Sequence, residues 1–254
     1  MSEMYPRCPV NLRNAIRELH RAGHREDVRQ FIIEGPHACG DLQAAGIRPI
    51  AVIIRDDATL ESLAIARAFL AQGADVFASG SKDMGLMADA AAPQDIIVLA
   101  RFFEERPLGT RIVLLDAVSD PGNVGSIIRS AAWFGCTDVI LGVGCADMYN
   151  PKVVRSAAGA LARMNILRKK DLTTVVSSLG GRPIIAAVAK DGLLPSGLRE
   201  LSSFALLIGS EAQGLATELL EVSTMRVTIP GGNGTESLNA AIAASILLYE
   251  VSRA

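Results

Sequence analysis

Short apolar runs typical of buried β-strands alternate with helix-forming segments from Phe31 to the end of this sequence. In the first half, strands are predicted at Phe31–Ile33, Ile50–Ile54, Ala74–Ala78 and Ile96–Leu99, with a helix at Thr59–Ala71. In the second half, strands are predicted at Ile112–Leu115, Asp138–Leu141, Pro183–Val188, Phe204–Ile208 and Met225–Ile229, and helices at Val124–Phe134, Pro151–Arg163, Asp171–Leu179 and Ser237–Ser252. This alternation predicts an α/β fold with a mostly parallel sheet covered by helices.

A charged segment from Arg101 to Arg111 separates the two halves. It contains Pro107 and Gly109, and this composition is typical of an interdomain linker. The chain has 254 residues, enough for two ordinary domains. We therefore predict one domain over residues 1–105 and another over residues 106–254.

Composition narrows the class of protein. Half of the residues are hydrophobic and the net charge is −2, so nucleic-acid binding would need a local basic patch. The four cysteines form no CxxC pair, and neither a zinc site nor a disulfide framework is expected. No apolar run reaches the ~18 residues that span a bilayer. A cytoplasmic protein without a metal is the expectation.

Arginines recur every four positions near the start of the chain, at Arg13, Arg17, Arg21, Arg25 and Arg29. In a helix, much of this row lies on one side, although Gly23 is expected to interrupt the helix. Taken alone, the row is better interpreted as a solvated helix face than as an RNA contact.

Three loops follow predicted strands, at the end where open α/β sheets bind ligands. The first contains the turn Asp120-Pro121-Gly122-Asn123 and, behind it, Arg129 among apolar neighbours. A partly buried guanidinium needs a partner, so Arg129 fits a packing interface as well as a functional site.

The other two loops are rich in glycine. In the second, Gly209 and Gly214 bracket Glu211, and Gly209 is expected to let a ligand approach the backbone; an ordinary strand-to-helix turn is the alternative. The third runs from Ile229 to Asn239. Asn239 is predicted inside an apolar helix, where a buried amide must be hydrogen-bonded.

Together the loops resemble the three motifs of the SpoU/TrmH branch of the SPOUT methyltransferases, over roughly residues 112–254. Residues 116–131 match D-x-V-x-D-P-x-N-x-G-x-I-x-R-[ST]-A, and residues 209–214 match G-x-E-x-x-G. Ile229-Pro230 and Ser237-Leu238-Asn239 match the two ends of the third motif, with Gly231 where a methionine is common. Residues 150–160 resemble a further family segment, and residues 31–35 resemble the start of the family's L30e-like domain.

The resemblance implies a C-terminal SPOUT domain with a deep trefoil knot, which holds S-adenosylmethionine (SAM), and an N-terminal L30e-like α/β domain that binds RNA. It also implies a homodimer formed through the catalytic domains. The reaction would be methyl transfer to a ribose 2′-hydroxyl of RNA. Because such a domain in a protein of net charge −2 needs a basic surface, the resemblance favours Arg13, Arg17, Arg21 and Arg25 as RNA contacts.

The resemblance also assigns site residues. The catalytic set would be Asn123, Arg129, Glu211, Ser237 and Asn239, and the cofactor would be held by Gly209, Ile229 and Leu238. Arg129 is nominated as the base, with Glu211 and Asn123 orienting it. Arginine is effectively always protonated, so an electrostatic clamp on a phosphate or oxyanion is equally open.

Several alternatives remain at this point. Loops of 23S rRNA are the preferred substrate, since specific RNA recognition usually targets single-stranded elements; a tRNA is the alternative. A catalytically silent ribosome-assembly factor would share the fold. A nucleotide-dependent oxidoreductase is disfavoured, because the run from Gly142 to Asp147 lacks the third glycine of the dinucleotide fingerprint.

Overall fold

The computed structural model describes residues 5–90, 92–199, 201–232 and 237–253. They form two compact units. The first contains the described residues up to Glu104 together with Tyr149–Ala162, and the second contains Glu105–Met148 and the residues from Arg163 onward. Among the described residues, no helix is long and apolar enough to cross a membrane.

The first unit has a four-stranded mixed sheet. Its strands are β1 (Gln30–Glu34), β2 (Ala51–Arg55), β3 (Val76–Ser79) and β4 (Ile96–Arg101), in the order β1-β4-β2-β3. Its helices are α1 (Val10–Glu18), α2 (Ala22–Val28), α3 (Pro36–Ala44), α4 (Leu60–Ala71), α5 (Ser81–Met87) and α7 (Pro151–Ala157). Strand β4 runs antiparallel to both neighbours, so the sheet of this half is less parallel than the alternation predicts.

The second unit has a six-stranded sheet in which all paired strands are parallel, as predicted. Its strands are β5 (Arg111–Asp116), β6 (Asp138–Gly142), β7 (Asn165–Lys170), β8 (Ile184–Ala187), β9 (Phe204–Gly209) and β10 (Met225–Val227), in the order β10-β8-β9-β5-β6-β7. Its helices are α6 (Pro121–Trp133), α8 (Leu172–Ser178), α9 (Thr217–Val222) and α10 (Ala240–Ser252). The central strands are fully buried, as their continuous apolar runs require.

One predicted helix is much shorter in the structure, and one strand was not predicted. The helix predicted over Pro151–Arg163 ends at Ala157, because Ala158 and Gly159 take left-handed conformations with φ of 45° and 80°. Strand β7 was not predicted, since four of its six residues are polar or charged, a pattern without apolar alternation.

The segment 149–162 differs from the predicted contiguous domains, because it packs within the first unit. The Tyr149 ring stacks on Phe102 with centroids 3.8 Å apart, and its hydroxyl accepts a hydrogen bond from the Phe103 N–H at 2.7 Å. Arg155 forms an ion pair with Asp89 at 2.8 Å. Apolar and charged contacts therefore hold the segment there, although it lies between two strands of the other unit in sequence.

Candidate active site

The three loops lie at the carboxyl edge of the parallel sheet, after β5, β9 and β10, as predicted. A cavity of about 690 Å³ opens between the second loop, the third loop and the residues that follow β8. Five of the predicted site residues line it: Gly209, Glu211, Ile229, Ser237 and Leu238. Residues 233–236 of the third loop, including Gly234, lie outside the described residues.

A chain of side-chain hydrogen bonds joins all three loops. The Asn123 amide donates to the Glu211 carboxylate, and the Asn239 amide donates to the Asn123 carbonyl oxygen at 2.9 Å. Asp120 is the N-cap of α6, and its carboxylate accepts the backbone N–H of Asn123 at 2.9 Å. This bond fixes the backbone that carries the Asn123 side chain. Three predicted catalytic residues are thus brought together by one network.

Asn239 has a different setting from the predicted one. It is exposed and is the N-cap of α10, where its side-chain oxygen accepts the N–H groups of Ala241 and Ile242 at 3.0 and 3.2 Å. Its polar character therefore reflects helix capping as well as the contact with Asn123. The helix begins at Ala240, three residues later than predicted.

The structure gives a different reason for Gly209 as well. A Cβ atom at this position would lie 2.2 Å from the Gly214 carbonyl carbon and 2.5 Å from the Leu215 nitrogen. The missing side chain is therefore needed for the second loop to fold back on its own strand. Gly209 shapes the cavity wall through this close backbone packing.

Arg129 is exposed, not partly buried as predicted. Its side chain has no hydrogen bond or ion pair with any described residue, and it does not line the cavity. Glu211 and Asn123 bond to each other and not to Arg129 in this structure, so an orienting role toward Arg129 stays a prediction. Arg129 lies six residues beyond Asn123 on α6, which is about 9 Å along the helix axis.

The arginine row does not form one helical face. Helix α1 ends at Glu18 and α2 begins after Arg21, so the interruption precedes Gly23. Arg25 is buried and donates to the carbonyl oxygens of Leu19 and His20 at 2.8 and 3.1 Å. It therefore holds the turn between the helices and is not an RNA contact.

The other three arginines that were predicted as RNA contacts differ in their exposure to solvent. Arg13 forms an ion pair with Asp83 and is half-buried. Arg21 pairs with Glu18 but stays exposed, and the Arg17 side chain is exposed with no ion pair or hydrogen bond to a described residue. Arg17 and Arg21 are thus the accessible members of the four predicted RNA contacts.

The sequence analysis did not select two further residues, one that lines the cavity and one that contacts the second loop without lining the cavity. Lys190, which follows β8, lines the cavity and is its only cation among the described residues. Asp116, the last residue of β5, accepts the backbone N–H of Ala216 at 2.8 Å. The position of Asp116 at the first residue of the motif pattern was a signal that could have found it.

Neither a reactive thiol nor a metal-binding cluster is found near the loops among the described residues. Burial raises the pKa of the Cys145 thiol to about 11, and the thiol donates to the Leu115 carbonyl oxygen at 3.1 Å, so it is neutral near pH 7. Among the described residues, no group of three or more His, Cys, Asp or Glu side chains is arranged to hold a metal ion.

Comparison with known proteins identifies the family to which a chain with these three loops belongs. Residues 110–249 match the sequence profile of the SpoU rRNA Methylase family. The chain belongs to this family. A relative from Bacillus subtilis, named 23S rRNA (guanosine(2553)-2′-O)-methyltransferase RlmP, is 30% identical over 92% of this chain and 93% of its own length.

Solved structures of the SpoU family have the same fold over nearly the whole chain. A TrmH-family protein from Porphyromonas gingivalis is 30% identical, with a TM-score of 0.83 over 96% of this chain and 98% of its own. An rRNA methyltransferase from Sinorhizobium meliloti, crystallised with S-adenosylmethionine bound, is 25% identical, with a TM-score of 0.83 over 95% and 94% of the two chains.

Proposed function

We propose that this protein is a SAM-dependent RNA methyltransferase that methylates a ribose 2′-hydroxyl in 23S rRNA. The observation that carries the proposal is the hydrogen-bonded set Asn123, Glu211 and Asn239, which joins the three family motifs beside one cavity. The near full-length similarity to a relative named for 23S rRNA 2′-O-methylation supports the substrate. A ribosomal substrate makes the cytoplasm the expected site of action.

The cavity fits SAM. Its volume of about 690 Å³ lies within the range of small-molecule sites, ~300–1,000 Å³. Buried apolar side chains, among them Leu215, Val227 and Leu247, line part of it and suit the adenine ring. Gly209, Ile229 and Leu238 would hold the cofactor, and Lys190 would attract its carboxylate.

When bound, SAM would supply a methyl group activated by its sulfonium, which the ribose 2′-oxygen would accept as the carbon–sulfur bond breaks and the hydroxyl proton is lost to a base. The residues of this chain provide position and charge. Ser237 and Glu211 line the cavity, and the hydrogen bonds that link Glu211, Asn123 and Asn239 would hold Glu211 in position. Arg129, exposed and charged, would hold the RNA phosphate and stabilise negative charge on the 2′-oxygen.

Transfer of labelled methyl groups from SAM to 23S rRNA of a strain lacking the gene tests this function. The assay is run in EDTA, because we infer that no metal is needed, and primer extension at low dNTP then locates the methylated ribose. Labelled methyl groups in tRNA would indicate that the substrate is the alternative one, a tRNA. RNA binding without any transfer would indicate the silent assembly factor instead.

We also infer that the second unit contains the trefoil knot of its family. Strand β10 lies between β8 and Leu193, a residue of the connection from β8 to β9. Val188 donates to Val227 at 2.9 Å on one side, and Leu193 donates to Arg226 at 2.8 Å on the other. The connection from β8 to β9 therefore passes on both sides of β10. This arrangement supports a knot in which the chain that follows β10 is threaded through that connection.

A homodimer through the catalytic unit is part of the proposal. Ile242, Ile246 and Tyr249 lie at positions i, i+4 and i+7 of α10 and are 52%, 36% and 49% exposed, so they form one apolar stripe. Helix α6, which packs against α10 through Ser130 and Ser245, adds Trp133 at 84% exposure. An apolar surface of this kind suits a second copy of the chain.

Replacing both Ile242 and Ile246 by aspartate is expected to raise the dimer dissociation constant at least ~100-fold, because two charges would be buried without partners. Sedimentation measures the mass, and Trp133, the only tryptophan, reports burial by fluorescence. Leu60→Asp is the control, since Leu60 is an exposed leucine of the other unit. A double variant that remains dimeric would place the interface elsewhere.

We propose that the first unit is the L30e-like RNA-binding domain. Replacing Arg17 and Arg21 by glutamine is expected to flatten the log–log salt dependence of RNA affinity by about one to two units, since each phosphate contact adds roughly 0.7–0.9. SAM affinity is expected to stay unchanged.

The matched control replaces Arg48 and Arg67 by glutamine, which removes the same charge from exposed positions of the same unit. An equal change of slope in both double variants would mean that only net charge matters. An unchanged slope in the Arg17 and Arg21 variant would leave these arginines as a solvated surface.

A further inference from the structure

Asp116 is joined to the second loop at both ends of that loop. In the sheet it pairs with Gly209, where the loop begins. Its carboxylate accepts the backbone N–H of Ala216, where the loop ends, at 2.8 Å. Ala216 is the N-cap of α9, and its side chain accepts no hydrogen bond from the first turn; the backbone N–H of Ala216 itself has its acceptor in Asp116, on another strand.

The loop that Asp116 closes is compact. Gly214 donates its N–H to the Ser210 carbonyl oxygen at 2.9 Å, and the Gln213 N–H is bound by the Ser210 hydroxyl at 3.2 Å. The backbone of Gly214 fills the space beside Gly209. Each of these bonds lies within the loop, so they shape it but do not attach it to β5.

The same loop forms one wall of the cavity and carries Glu211. Ser210, Glu211, Gln213, Gly214 and Leu215 all line the cavity, whereas Asp116 does not. The loop is attached to the first motif at two points, through Asp116 at its end and through the bond between Glu211 and Asn123 near its tip. The bond at Asp116 fixes the backbone, and the bond at Asn123 fixes one side chain.

We infer that Asp116 is a positioning residue: its carboxylate holds the Gly209–Ala216 loop closed, so that the cofactor wall and Glu211 are in place before the cofactor binds. The role needs a hydrogen-bond acceptor and no proton transfer. Because the ligand of this wall is SAM only under the proposed function, the inference rests on it.

Two substitutions remove the same bond from opposite sides. Asp116→Ala removes the acceptor. Ala216→Pro removes the donor and fits the local backbone, since Ala216 has φ of −59° and proline requires about −65°. Each is expected to weaken binding of S-adenosylhomocysteine about tenfold, measured by calorimetry, and the double variant is expected to be no weaker than either, because one bond is lost in all three.

Asp116→Asn keeps an acceptor oxygen and is expected to bind and turn over within about threefold of the wild type. Asp171→Ala is the matched control, since Asp171 caps α8 in the same unit by accepting the Thr173 N–H at 3.1 Å and does not line the cavity. It is expected to lower the melting temperature without a change in affinity.

Three results would overturn the inference: unchanged binding in Asp116→Ala, additive losses in the double variant, or loss of turnover with intact binding in Asp116→Asn, which would indicate proton transfer. Amide hydrogen exchange of residues 209–216 in the cofactor-free protein is measured as well. If the wild type binds no S-adenosylhomocysteine, the proposed function fails, and faster exchange in Asp116→Ala but not in Asp116→Asn still decides whether Asp116 holds the loop.

Discussion

Replacing Arg129 by alanine is expected to lower the single-turnover rate of methyl transfer at least ~100-fold, the scale of losing one preorganised charge-stabilising group. SAM affinity is expected to be nearly unchanged, because Arg129 does not line the cavity. Stability is also expected to be retained, since the side chain is exposed and bonded to no described residue.

Arg129→Lys separates charge from geometry. Lysine keeps the charge but not the planar pair of donors that binds a phosphate or oxyanion at two points, so an intermediate loss is expected. Sedimentation of both variants checks that the oligomeric state is unaltered. Near wild-type single turnover in Arg129→Ala would remove Arg129 from the catalytic set and leave the network of Asn123, Glu211 and Asn239 as its centre.

Replacing Gly209 by alanine is expected to lower the affinity for SAM by one to two orders of magnitude. The added carbon would lie 2.2 Å from the Gly214 carbonyl carbon, and the obstacle is backbone, which cannot move aside by a rotamer change. Overpacking of this kind costs about 1–3 kcal/mol, and 1.4 kcal/mol corresponds to a factor of ten. The melting temperature should fall as well.

Gly231→Ala is the matched control for this prediction. Gly231 also lines the cavity, but a Cβ there would lie within 4 Å of no atom of the described residues. Titration with S-adenosylhomocysteine should therefore separate the two variants, with the Gly231 variant close to the wild type. Equal effects of both substitutions would show that the cavity tolerates no added carbon on either loop, contrary to the packing argument.

The sequence by itself determined every strand except β7, the parallel sheet of the second unit and the place of the site. Continuous apolar runs are local signals, and the predicted strands are confirmed within two residues at their ends. The three motifs could also be recognised in the sequence, because each is defined by residues close together in the chain. Examples are the turn Asp120-Pro121-Gly122-Asn123 and the glycines on either side of Glu211. Their convergence at one sheet edge followed from the parallel alternation alone.

Only the tertiary structure decided which partner each polar side chain has. Arg25 is buried because it donates hydrogen bonds to carbonyl groups that follow α1. Arg17 belongs to the same four-residue repeat in the sequence but is exposed. Asn123 and Glu211 are 88 residues apart in the chain, and Asp116 and Ala216 are 100 apart. Spacing along a sequence fixes the face of a helix or strand, but a hydrogen bond between distant segments depends on how those segments pack.

The place of residues 149–162 was decided in the same way. Their helical pattern was visible, but their attachment to the first unit depends on the stacking of Tyr149 on Phe102 and the ion pair between Arg155 and Asp89. Each of these contacts joins residues more than forty positions apart in the sequence. Local propensity sets the elements of this chain, whereas burial and pairing of distant side chains set the unit to which an element belongs.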